Sequence, residues 1–202
     1  MRLAVIATIV LVGVLGSANA GPLEDGEEAF QQRNFAKAIA IWTPLAEEGI
    51  GAAQSKLGQM YKNGFGVDQD FEAAARWYRL AAIQNYAEGQ YNLGKLYEDG
   101  NGVPQDFSEA ERWFRLSANN GNAAAQFSLG FMYWIPVISG NVLPEDYLLA
   151  FMWFELASEH AEGVESELAA GMRDSVAEDM APGQINEARA LAQKWQRNEN
   201  ER

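Results

Sequence analysis

Apolar residues follow two different patterns along the 202-residue chain. From Leu3 to Leu15 they run almost without interruption. From about Gly21 onward they are spaced. Ala53, Leu57, Met60 and Tyr61 stand at i, i+4, i+7 and i+8, the stripe of a half-buried helix, which predicts a helix over about 52–62. Asn63-Gly64-Phe65-Gly66 ends it, with Gly64 available for the left-handed position past the last turn. A second helix follows to about Ile83, with Phe71, Ala74, Trp77, Tyr78 and Ala81 on one face. Asp70 or Asp68 is placed to accept from its free N–H groups. Abundant alanine and the scarcity of β-branched runs outside the first fifteen residues favour helices over strands.

The helix pair recurs. Leu57, Gly58, Tyr61, Gly64, Gly66, Val67, Asp70, Phe71, Ala74 and Trp77 are matched 36 residues later by Leu93, Gly94, Tyr97, Gly100, Gly102, Val103, Asp106, Phe107, Ala110 and Trp113. A third copy begins at Leu129-Gly130 and Tyr133 and resumes four residues late at Asp146-Tyr147, Ala150 and Trp153. A weaker copy, Phe35, Ala38, Trp42 and Ala46, precedes them. A fixed period of this length predicts a solenoid of stacked helix pairs. Gly58, Gly94 and Gly130 stand mid-helix, where glycine costs about 1 kcal/mol relative to alanine. Close approach of a neighbouring helix would explain them. Trp77, Trp113 and Trp153 keep register with the packing positions and are expected in the core.

The pattern L-G-x-x-Y-x-x-G-x-G-V-x-x-D-x-x-x-A-x-x-W resembles the Sel1-like repeat, a relative of the tetratricopeptide repeat. The resemblance covers 52–126 closely and 127–159 with an insertion. It fits only the second helix of 26–51. The stretch from Met180 to Trp195 is similar to the closing helix of short bacterial members, with Pro182 suited to a first turn, Ala181 in place of a Ser or Thr cap, and Gly183 weakening the start. The resemblance implies an all-α, right-handed α/α solenoid and a role in protein–protein contacts. The expected organisation is a signal peptide over 1–20, a degenerate helix pair over 21–51, three repeats over 52–87, 88–123 and 124–160, and capping helices over 161–202.

Arg2, the apolar run to Leu15 and Ala18-Asn19-Ala20 together make the pattern of a secretory signal cut after Ala20. The run is shorter than the roughly 20 apolar residues that span a bilayer, so no membrane attachment is expected after cleavage. Cysteine is absent, which excludes disulfides and thiolate metal sites. An export signal without cysteine suggests a bacterial periplasmic or secreted protein. A net charge of −13 makes nucleic acid an unfavourable partner.

Catalytic patterns are missing. His160 is the sole histidine, and no H-E-x-x-H, G-x-S-x-G or S-x-x-K occurs. His160 is expected to be a solvated residue at a helix end. In Asp99-Gly100-Asn101-Gly102-Val103-Pro104, Val103 and Pro104 rule out a calcium loop. Acidic groups such as Glu24, Asp25, Glu27 and Glu28, or Glu159, Glu162, Glu165 and Glu167, are expected on solvated faces. No cofactor, metal or catalytic residue is expected. The main function is therefore read as a non-catalytic scaffold that binds a protein partner. The alternative is a cell-wall-directed hydrolase or lactam-binding enzyme like the cysteine-rich relatives of this repeat class, whose Cys pairs are absent here.

A solenoid of this class presents a groove lined by its first helices. The candidate binding residues there are Gln59, Lys62, Lys95 and Glu98. In the third unit Phe131 takes the place of Gln59 and Lys95, and Trp134 that of Lys62 and Glu98. Ile135, Val137 and Ile138 are expected to fill an enlarged loop after them. Exposed, these aromatic and aliphatic residues would form a binding hot spot. Packed under the C-terminal helix, they would be core.

Overall fold

Helix stops and starts written into the repeat set the architecture. In the computed structural model, residues 21–139 and 144–200 are described, and they form ten helices. The first twenty residues, and with them the expected signal peptide, lie outside the described residues. The elements are α1 (Pro22–Gln31), α2 (Phe35–Glu47), α3 (Gly51–Asn63), α4 (Phe71–Ala82), α5 (Ala87–Asp99), α6 (Phe107–Ala118), α7 (Ala123–Ser139), α8 (Pro144–His160), α9 (Gly163–Ala177) and α10 (Pro182–Asn200). Each first helix packs on the second helix of its own unit, and each second helix packs on the first helix of the next. The result is the all-α solenoid of stacked helix pairs.

The boundaries have local causes. α3 and α5 stop at Gly64 and Gly100, which take the left-handed conformation at φ 69° and 71°. α4 and α6 start at Asp70 and Asp106. Asp70 accepts from the Ala73 amide at 2.8 Å, and Asp106 from Ser108 and Glu109 at 2.9 and 3.0 Å. Pro136 stands where Gly64 and Gly100 stand in the earlier units, and proline cannot adopt a positive φ. The left-handed stop of the earlier units is thus missing, and α7 runs to Ser139. Residues 135–138, expected to form a loop, are therefore the last turn of an extended helix. At α10 the weak start is compensated by Gln184, whose Oε1 accepts from the Ala181 amide at 2.9 Å.

The mid-helix glycines do mark close approaches, and the approaching group is a ring of the same unit's second helix. A Cβ on Gly58 would lie 2.6 Å from the Tyr78 ring, one on Gly94 2.7 Å from Phe114, and one on Gly130 2.6 Å from Phe154. Gly26 stands in the same relation to Trp42, at 2.2 Å. α1 and α2 are thus a full unit, with its inter-helix turn shortened to Gln32–Asn34. Trp42, Tyr78, Phe114 and Phe154 are fully buried, and they form the deepest ring in each unit. Trp113 and Trp153 are buried as expected, while Trp77 is half-buried against the N-terminal core.

α10 breaks the pattern by packing on α8. Trp195 lies 5.5 Å from Trp153, ring to ring, and its Nε1 donates to Asn119 Oδ1 at 3.1 Å. This covers the apolar surface of α8 around Trp153.

Candidate protein-binding groove

First helices sit side by side: α3 touches α5, and Lys56 of α3 pairs with Glu27 of α1 at 2.8 Å. These contacts place the first helices together on one side of the stack. Gln59, Lys62, Lys95 and Glu98 are half-buried on α3 and α5. Lys95 bonds Glu98 and lies 3.8 Å from Asp99. Burial pulls the Lys95 ammonium down, but the bond to Glu98 and the charges of Glu98 and Asp99 outweigh it and hold it above the usual lysine value.

The aromatic residues of the third unit divide. Phe131 and Trp134 are half-buried and meet Phe154 edge to face at 5.5 and 6.3 Å. They belong to a cluster that includes Met172, Val176 and Met180 from the α9 region and Ile185 and Ala188 of α10. Ile135 occupies the position of Asn63 and Asp99 and is 56% exposed. The side chains of Val137 and Ile138 lie outside the described residues.

Two arrangements escaped sequence reasoning. The first is a pair of hydrogen-bond networks, of which one is a ladder between units. Buried Gln54, Gln90 and Gln126 donate to Ala46 O, Ala82 O and Ala118 O at 3.0, 3.1 and 3.4 Å. Their Oε1 atoms accept from Gln84 at 2.7 Å, from Asn120 at 2.9 Å, and from His160 Nδ1 at 3.0 Å. His160 is exposed at the end of α8 as expected, but Nδ1 is not left to solvent. Gln126 uses its amide N–H on Ala118, so its oxygen faces the ring and assigns the proton to Nδ1. A second network joins α6 to α7. Arg115 donates to Glu111 at 2.8 Å and to the Tyr133 hydroxyl, which itself donates to Glu111 at 2.6 Å. Burial and the bond to Glu111 push Tyr133 up to about 12. Burial would raise Glu111, but Tyr133 and Arg115 together hold its carboxyl below the usual range.

The second arrangement is a cavity of about 480 Å³ on the first-helix side, between α5, α7, α8 and α9. Tyr91 and Phe127 wall it, Ala157 and Ala169 leave it room, and His160 and Leu168 border it. Tyr91 and Phe127 are equivalent positions 36 residues apart, one turn before Lys95 and Phe131. Among the described residues no helix is long and apolar enough to cross a membrane, and no group of His, Asp and Glu is arranged to hold a metal.

Helix pairs repeating at 36 residues, each packed on the next, define a helical-repeat protein of the α/α solenoid class. A sequence profile of the Sel1 repeat matches 51–86, 87–122 and 123–161, and the chain belongs to the Sel1 repeat family, whose members generally serve as protein–protein interaction scaffolds. A Sel1 repeat protein from Oxalobacter formigenes superposes with a TM-score of 0.68 at 28% identity, over 80% of this chain and 61% of that one. A protective antigen present in uropathogenic Escherichia coli strains, displaying an SLR fold, superposes with a TM-score of 0.68 at 27% identity, over 86% of this chain and 40% of the antigen. In sequence, 53 residues are 36% identical to the ERAD-associated E3 ubiquitin-protein ligase component HRD3 of Candida glabrata. They make up 26% of this chain and 6% of that protein.

Proposed function

We propose that the chain is an exported, non-catalytic scaffold that holds a protein partner in the groove of its first helices. The observation that carries this reading is the row of first helices, α1 beside α3 and α3 beside α5, with polar half-buried positions on α3 and α5 giving way to exposed Ile135 on α7. Large apolar side chains exposed beside a polar groove are typical anchors for a partner. Export is supported by Arg2, the Leu3–Leu15 run and Ala18-Asn19-Ala20. The enzyme alternative calls for a pocket of convergent reactive groups. His160, Glu162 and Glu165 do meet at the cavity, but no serine, threonine or lysine lines it, and His160 is held in the ladder. Acyl transfer thus lacks a nucleophile there.

Two measurements test the proposal. N-terminal sequencing of exported protein should find Gly21 first, and an intact Met1 would refute processing. Cross-linking capture from a periplasmic extract should recover a defined partner with wild type and lose it with Ile135→Glu. Equal capture by both would remove the groove from the reading.

A further inference from the structure

We infer that the cavity between α5, α7, α8 and α9 receives a partner segment in which a large apolar side chain neighbours a lysine or arginine. This rests on the scaffold reading and names what the scaffold selects.

The lining is apolar. Two rings, Tyr91 and Phe127, face a floor of alanines, and the space of about 480 Å³ falls in the range of sites that bury a ligand group. It accommodates one large apolar side chain and the aliphatic stem of a neighbouring cationic residue. Leu168 on the border is 49% exposed, and Val164, one turn earlier on α9, is 79% exposed. A single exposed aliphatic needs no explanation. Two spaced by one turn, leading from solvent to a cavity, make a continuous apolar strip.

The rim is acidic. Glu162 and Glu165 both line the cavity and are exposed, and neither has an ion pair among the described residues. No lysine or arginine lines it. Lys95, one turn beyond Tyr91, is already committed to Glu98 and Asp99. The N-terminal ends of α7 and α9 add positive potential, but each amounts to about half a charge. Two full carboxylates outweigh them, so the rim favours a cation. Between α1, α3 and the start of α5 the corresponding space is smaller, about 200 Å³, and one of its two carboxylates, Glu27, is already paired with Lys56 at 2.8 Å.

Short fluorescein-labelled peptides are the probe, read by fluorescence anisotropy with the purified full chain. One carries a Leu-Lys-Leu-Arg core between glycine and serine. A second replaces the basic residues by glutamate, and a third replaces the leucines by serine. The first peptide should bind, with the other two weaker by about tenfold or more. Glu162→Lys combined with Glu165→Lys should weaken the first peptide about tenfold. Leu168→Ser should weaken it about fivefold. Both changes lie at exposed positions, and unchanged melting curves will show that the fold is retained. Equal binding of the glutamate peptide, wild-type affinity in the double variant, or no binding below about 1 mM would each overturn the inference. Partner capture separates it from the broader reading. If Ile135→Glu abolishes capture while the double glutamate variant does not, the cavity assignment fails and the scaffold stands. If both variants capture as wild type does, both fall.

Discussion

The two central units, 51–86 and 87–122, and the third unit with its following helices are built on one plan and finished differently. In all of them a mid-helix glycine seats a ring, and a buried glutamine joins one unit to the last. In the central pair the groove positions are Gln59, Lys62, Lys95 and Glu98, and the turns close on Gly64 and Gly100. In the third unit those positions become Phe131 and Trp134, the glycine becomes Pro136, and α7 runs on to Ser139. The difference separates what the solenoid needs from what it leaves free. The contact between the two helices of a unit tolerates almost no change, because a methyl group added at the glycine has no space. The first-helix surface tolerates exchange of charge for aromatic rings, because those rings find a second place to pack, against the α9 region and α10.

The comparison can be broken first at the shared feature. Gly94→Leu and Gly130→Leu should each overpack a ring at 2.6–2.7 Å and cost roughly 3 kcal/mol in chemical denaturation. Wild-type stability in either variant would show that the close approach carries no energetic constraint. The next effect should differ between regions. Trp134→Ala removes a half-buried ring and should cost about 2 kcal/mol, below the roughly 3–5 of a fully buried one. Lys62→Ala and Glu98→Ala at the equivalent positions should stay within about 0.5 kcal/mol. Equal effects at all three would erase the distinction between a solvated and a packed groove.

A smaller effect tests the ladder. His160→Ala leaves Gln126 Oε1 without its donor and should lower stability by about 1 kcal/mol, as Asn120→Ala should at Gln90. A neutral result at 160 with a cost at 120 would make the third rung incidental.

The smallest effect concerns acid. The Glu111 carboxyl is held below its usual value in the folded chain, so the unfolded chain binds the proton more readily. Its stabilisation is complete above the unfolded pKa, near 4.5, and is lost as pH falls through the lower folded value. Glu111→Gln should therefore reduce the difference in melting temperature between neutral and acidic solution. An unchanged difference would mean that the Arg115–Tyr133 network contributes nothing to acid sensitivity.

The sequence by itself determined the repeat, its helix ends and most of its core, because each depends on local causes. An aspartate caps whichever helix follows it, a glycine at 64 or 100 permits a left-handed turn, and apolar residues at helical spacing need a face to bury. It also foretold that Gly58, Gly94 and Gly130 admit a close neighbour. The first helix of the N-terminal unit was less legible, since Gly26 is its sole repeat mark and the shortened turn shifts it out of register with the 36-residue period. Only tertiary structure showed that Gln84, Asn120 and His160 do one job. Three residue types share that position, and what unites them is a donor aimed at a glutamine 30 or 34 residues away. Only tertiary structure assembled the cavity, because Tyr91, Phe127, His160 and Leu168 come from four helices whose distances depend on the stacking angle of whole units. Proline at 136 shows the boundary between the two. Its effect on the turn is local chemistry, while the decision to extend α7 was made by the packing that α8 and the helices after it offered to Phe131 and Trp134.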